Sequence, residues 1–249
     1  MNYKAIHNDP LTQTVQNQKG ALVMEHQVIS SNMVRTRDFV IGTIIALVMG
    51  TLFTLLSSGM SLIVTFVPGI IFSWLMYAWL FVKKVELPTS SAFLPLFFAL
   101  LTVQFIHFAE EFTTKFDTKF PLLYGGMPYS DTFFVTFNMI AYAVFALACI
   151  LAFTKNFRFL LFPALFFIMY GAIGNAISHT WWSLYLRSYF PGLITAQIFW
   201  IAGPFVLYKL VGKGKVVFTV IILFALVLIP LLTIFASPDA MSSYALSLS

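Results

Sequence analysis

The sequence predicts an all-α protein: a polytopic transmembrane helical bundle of about seven spans, with its N-terminus cytoplasmic and its C-terminus external. Three observations carry that prediction. Hydrophobic residues make up 60% of the 249 residues and charged ones only 9%, against roughly 25% charged in an ordinary soluble domain. The mean hydropathy is +0.91. The apolar runs reach about 20 residues or more, enough to cross a hydrocarbon core of roughly 30 Å at about 1.5 Å per helical residue. A soluble domain and a disordered chain both need more charge. A porin-like barrel needs strands that alternate apolar and polar residues, and these runs do not alternate.

Residues 1–38 read as a polar cytoplasmic tail, and its first 30 residues hold no apolar core of a cleavable signal. The stretch from Gly20 to Val34 reads as loose tail rather than interfacial helix. Seven candidate spans follow, near 39–57, 60–82, 91–114, 131–153, 157–180, 191–211 and 215–236. Pro68, Pro163, Pro204 and Pro230 fall within or near the ends of spans, where prolines are tolerated and bend helices. The connections are short except for 115–130, a structured turn region that carries Gly125–Gly126 and two prolines. The chain therefore divides into the tail, two additional N-terminal transmembrane helices over 39–89, a five-span unit over 90–236 and a short external tail over 237–249.

Orientation follows from the cations. Lys4, Lys19, Arg35, Arg37, Lys83, Lys84, Lys155, Arg158, Lys209, Lys213 and Lys215 fall on one side of the predicted bundle, and Lys115, Lys119 and Arg187 on the other. Positive residues concentrate on the cytoplasmic face. The expected location is a cell membrane with multiple passes, and a bacterial plasma membrane in particular. No basic stretch is dense enough to track phosphates, so nucleic acid is not an expected partner. The single cysteine, Cys149, forms no internal disulfide.

Ionisable groups inside a span cost roughly 2.5–3.5 kcal/mol each, so their positions are informative. Gln104, His107, Glu110 and Glu111 lie in the outer third of the third span. His107 lies about 40° from Glu111 and about 60° from Glu110 around the helix. In the fifth span Asn175 and His179 are also four residues apart. Asp131 and Asn138 share one face of the fourth span, and Gln197 sits early in the sixth. These polar groups are predicted to converge on the outer half of the bundle.

Two histidines and a carboxylate can hold a catalytic zinc and leave a position for water, while a second carboxylate serves as base. The blander reading makes the same residues interfacial carboxylates and helix–helix polar contacts. Asp131 reads as an N-cap or first-turn carboxylate. Tyr189 with Pro191–Gly192 reads as a helix-entry turn. Trp181 and Trp182 read as part of the interfacial aromatic belt.

The run from His107 to Glu111 resembles the motif that names the HXXEE domain family of integral membrane proteins. Asn175-Ala176-Ile177-Ser178-His179 is similar to that family's N-A-x-x-H motif, and Tyr189-Phe190-Pro191-Gly192 to its Y-x-P-G motif. The three occur in the family's order, and the resemblance covers roughly residues 90–236. It implies an enzymatic role for these polar residues without naming a substrate. On the residues and the resemblance together, His107, Glu111 and His179 are the expected metal ligands, for zinc or iron. Glu110 is the expected general base or outer-shell group, and the two glutamates are interchangeable in these roles, since both faces suit the bundle interior. Asn175 would orient His179 or the substrate, and Tyr189 would offer a hydroxyl at the pocket mouth. The expected function is a metal-dependent hydrolase acting on a lipid or membrane-embedded substrate in the bilayer. The other two readings are a proton-coupled transporter and a non-catalytic partner subunit.

Overall fold

The computed structural model describes residues 32–239, with the isolated positions Thr14 and Ser242. Most of the stretch expected to be loose tail, from Gly20 to Val34, and most of the expected external tail over 237–249 lie outside the described residues. Eight helices follow in order: α1 (Thr36–Leu56), α2 (Ser61–Val82), α3 (Ser90–Thr113), α4 (Phe116–Leu123), α5 (Asp131–Thr154), α6 (Arg158–Leu186), α7 (Leu193–Val211) and α8 (Gly214–Ile234). All but α4 are long and apolar enough to cross a membrane. Among the described residues there is no strand.

The expected spans and the helices agree to within a few residues, except at the end of α6. There the helix continues to Leu186 rather than stopping near 180. The continuation is held by Trp182, which is buried and donates from its indole Nε1 to the Tyr124 hydroxyl at 2.6 Å. Trp182 is thus a core residue and not part of a lipid-facing belt. Trp181 is half-buried and donates to the Thr233 hydroxyl at 3.0 Å. The long connection over 115–130 folds into α4, separated from α3 by Lys115 in the left-handed conformation at φ 65°.

α6 is the centre of the bundle: 89% of its most apolar stretch is buried, against 17% of that in α1. It opens with a 3-10 turn over Arg158–Leu160 and widens into a π-helix over Phe167–Gly174, immediately before Asn175. Wide turns of this kind recur at functional sites because they re-aim the residues that follow. α1 and α2 lie against α6. The Tyr77 hydroxyl donates to the carbonyls of Asp38 and Arg158 at 2.8 and 3.2 Å, and Phe53 stacks on Phe166. α1 and α2 therefore share one core with α6.

The helix ends sort the chain into two poles. At one pole Arg158 binds Asn32, and Lys213 lies over the Trp79 ring. At the other, Tyr124 binds the Leu232 carbonyl, and the Met60 amide binds the Tyr124 carbonyl. The polar cluster of α3 and α6 sits toward this second pole.

Candidate metal centre

His107 and Glu111 stand one turn apart on the inner face of α3, and His179 faces them from α6. The Nε2 atoms of His107 and His179 each lie 3.3 Å from Oε1 of Glu111. All three residues are buried, and the three potential ligand atoms lie within 4.8 Å of one another. A tetrahedral metal with bonds of about 2.0–2.1 Å separates adjacent ligands by about 3.3 Å. The two histidine–carboxylate separations fit that edge.

The other nitrogen of each ring fixes which one carries the proton. His179 Nδ1 is 2.6 Å from the carbonyl oxygen of Pro191, which can only accept, so Nδ1 holds the hydrogen. His107 Nδ1 is 2.8 Å from the Thr195 hydroxyl. That hydroxyl donates its own hydrogen to Glu110 Oε2 at 2.5 Å, so it accepts from His107. In the neutral form each imidazole therefore turns an Nε2 lone pair toward the Glu111 carboxylate. Both Nε2 atoms are buried without a hydrogen-bond partner, and a buried polar group left in that state is costly. A proton on one ring would satisfy one contact and leave the other lone pair facing the carboxylate. Protons on both would set two imidazolium rings 4.7 Å apart. A single cation at the centre would satisfy all three ligand atoms at once.

Glu110, the neighbour of Glu111, points elsewhere. Consecutive residues on a helix diverge by about 100°, so only one of the pair can face the histidines. Glu110 accepts four hydrogen bonds: from the Tyr189 hydroxyl at 2.7 Å, the Ile194 amide at 2.9 Å, and the Thr195 amide and hydroxyl at 2.8 and 2.5 Å. Ile194 and Thr195 begin α7, whose N-cap is Gly192. A helix start leaves amide donors unpaired and carries a partial positive charge. Glu110 supplies from α3 the cap that glycine has no side chain to provide. The Tyr189 hydroxyl is held above the usual phenol range by burial and by the Glu110 carboxylate it donates to.

Gly192 closes the arrangement. Its φ is +84°, and a Cβ there would stand 2.6 Å from Cε1 of His179 and 2.8 Å from Cε1 of His107. Both the backbone conformation and the space against the two rings require glycine. The expected helix-entry turn is present, and the same four residues also orient the site: Tyr189 binds Glu110, the Pro191 carbonyl sets the His179 tautomer, and Gly192 admits both rings.

The remaining polar residues divide. Asn175 donates to the Gly171 carbonyl at 3.0 Å; the partner of the His179 ring is Pro191 instead. Gln104 donates to Tyr142, which donates to Asn138. Asp131 occupies the first turn of α5 behind a Ser130 N-cap and lies 3.7 Å from Lys115 Nζ. Gln197 binds Thr180 and the Leu193 carbonyl in a separate exposed groove. Thr195 was not singled out by sequence reasoning, because threonine is an ordinary residue of membrane helices. Its spacing behind the glycine of the Y-x-P-G stretch was the available signal.

Glu111 also lines a cavity of about 80 Å³, together with Gln104, Asn175 and a wall of aromatic rings that includes Phe53, Phe66, Phe137 and Phe166. This holds several waters at roughly 10–15 Å³ each. One end is thus polar and the rest apolar, with α1 and α2 contributing to the wall.

Residues 97–208 match the HXXEE family, described as "Protein of unknown function with HXXEE motif". The match contains His107, Glu110, Glu111, Asn175, His179 and the turn from Tyr189 to Thr195, and it leaves out α1, α2 and α8. No curated protein and no solved structure matches the chain.

Proposed function

We propose that the HXXEE segment of this chain forms a membrane-embedded, metal-dependent hydrolase. His107, Glu111 and His179 would hold a divalent ion, zinc or iron, and activate a water against a lipid or other membrane-embedded substrate. The observation that carries this reading is the convergence of two buried Nε2 atoms, neither with a hydrogen-bond partner, on one carboxylate oxygen. Two imidazoles and a carboxylate are a donor set common to catalytic zinc and to non-haem iron. Such an ion lowers the pKa of its bound water to about 7.

The roles of the surrounding residues follow from their bonds. Glu111 is the member of the triad that lines the cavity, and its second oxygen is free to take the proton of the attacking water. Asn175 lines the same cavity and has one amide hydrogen beyond that given to Gly171, suited to the oxygen of a substrate. Glu110, with four donors already on its carboxylate, acts through others: it holds Thr195, which holds His107. Ligand-orienting partners of this kind are worth about 10- to 100-fold in metal affinity. The aromatic wall favours a substrate with a hydrocarbon body. With the N-terminus cytoplasmic, the site would open toward the outside.

Metal content of the detergent-purified protein, measured by mass spectrometry beside folded His107→Ala and His179→Ala variants, tests the centre. About one zinc or iron per chain in the parent, lost in both variants, is the expected result and opens a screen of lipid esters and amides. Metal at background in protein prepared without chelator would overturn the ligand set and turn attention to proton transfer by the same residues.

A further inference from the structure

The cavity beside Glu111 holds a second set of polar groups. Gln104, 3% exposed, lines it from the same face of α3, two helical turns before Glu111 and roughly 10 Å away along the axis. Tyr142 and Asn138, both on α5, line it too.

A chain of hydrogen bonds fixes how Gln104 is turned. The Phe134 carbonyl can only accept, so the Asn138 amide turns its Nδ2 to it, at 2.9 Å. Asn138 Oδ1 therefore takes the hydrogen of the Tyr142 hydroxyl, at 3.1 Å. With that hydrogen committed, the hydroxyl oxygen accepts from Gln104 Nε2 at 2.9 Å. Gln104 Oε1 is left buried and without a hydrogen-bond partner. A buried acceptor in that state is costly.

The cavity is also narrow. Its volume of about 80 Å³ is below the roughly 150 Å³ of a cavity that takes benzene, yet its walls reach from Gln104 to Glu111. A space that long and that small takes one extended chain rather than a ring or a branched body. The lining residues that keep some exposure, Phe66 on α2 with Phe133, Phe137 and Ala141 on α5, set its mouth between those two spans. In a membrane that flank would face lipid.

We propose that Gln104 is the specificity-determining residue of this cavity: its Oε1 accepts from an N–H or O–H group borne on a single hydrocarbon chain that enters between α2 and α5. A fatty amide or a hydroxylated chain carries such a donor, and a plain ester or ether does not. A water needs two to four polar partners, and most of the wall is aromatic. This role rests on the hydrolase reading only in taking the cavity as the substrate's place, and it requires no metal.

Native mass spectrometry of the full chain, chelated and in detergent micelles, tests this with two pairs of probes. N-Methyldodecanamide and dodecanol each carry one donor, whereas N,N-dimethyldodecanamide and the methyl ether of dodecanol carry none. The parent is expected to retain the donor-bearing member of at least one pair about ten-fold or more over the other, and the pair that discriminates identifies the donor as N–H or O–H. Gln104→Met keeps the length of the side chain without its acceptor and is expected to hold both members alike. Tyr142→Phe frees the Gln104 amide to turn over and is expected to weaken the preference, which serves where Gln104→Met does not fold. Equal retention of both members by the parent, or of neither, would overturn the role. So would a preference that every folded variant keeps, which is exclusion by size alone. Metal at background with the probe preference intact would overturn the metal centre and leave the role of Gln104 standing.

Discussion

The Nε2 atom of His179 lies 3.3 Å from Oε1 of Glu111, buried and without a hydrogen-bond partner. The Pro191 carbonyl on the far side of the ring takes the Nδ1 hydrogen, so the neutral ring turns an Nε2 lone pair toward Glu111. His107 repeats the arrangement through Thr195. A cation held there, as proposed, would satisfy the buried contacts of the site, and its removal should be felt by the whole fold.

Chelation is accordingly expected to lower the thermal midpoint of the parent. An ion at about 100 times its dissociation constant stabilises the folded state by about 2.7 kcal/mol, which corresponds to several degrees for a chain of this size. Glu111→Gln keeps the side-chain shape but removes the anionic ligand. Its midpoint should not respond to chelator. Scanning fluorimetry of both proteins with and without chelator checks this, and identical responses in the two would show that Glu111 holds no ion.

Gly192→Ala should be far more damaging than its conservative size suggests. The left-handed conformation alone costs a non-glycine residue roughly 1–2 kcal/mol. Here the added methyl also meets both imidazole rings. Gly212→Ala is the control: its φ is +71°, with nothing within 4 Å of the added Cβ. Both variants should lose stability in a thermal melt, and only Gly192→Ala should also lose metal. Equal metal content in the two would mean that the rings tolerate the methyl.

Thr195→Val separates orientation from ligation. Valine keeps the shape of threonine but cannot accept from His107 or donate to Glu110. Metal affinity should fall about 10- to 100-fold with the fold retained, and Thr195→Ser should recover most of it. Glu110→Gln should behave similarly and lose up to about 1 kcal/mol more, because the start of α7 loses its counter-charge. Competition against a calibrated chelator measures each affinity. Complete loss of metal in Thr195→Val would give Thr195 a larger role than orientation.

Much of this arrangement was legible in the chain. The seven long helices follow from apolar runs, and the spacing of His107, Glu111 and His179 pointed to their shared site. The division of labour between Glu110 and Glu111 was not legible, because adjacent residues on a helix face different neighbours and the neighbours are set by packing. Thr195 and the Pro191 carbonyl were hidden for a related reason: a hydroxyl is common in any span, and a backbone carbonyl has no signature at all. Trp182 read as an interfacial residue because its burial depends on α4, a helix placed inside what read as a connecting turn.

Asp117, in α4 and outside the spans, gives the chain a pH dependence separate from the His107, Glu111 and His179 cluster. It is buried, and its Oδ1 has no hydrogen-bond partner. Burial raises its carboxyl above the ordinary aspartate value, with Lys115 and the Thr118 hydroxyl opposing. A carboxyl whose folded value is raised binds its proton more tightly in the folded state than in the unfolded one. Stability is then fullest below the unfolded value, about 4, and falls as pH rises through the folded value. Asp117→Asn removes the ionisation. In chelated protein, where the histidine site carries no ion in either case, the variant and the parent should melt together near pH 4. The variant should melt higher at pH 7. Parallel melting curves from pH 4 to 8 would show that Asp117 is solvated well enough to ionise without cost.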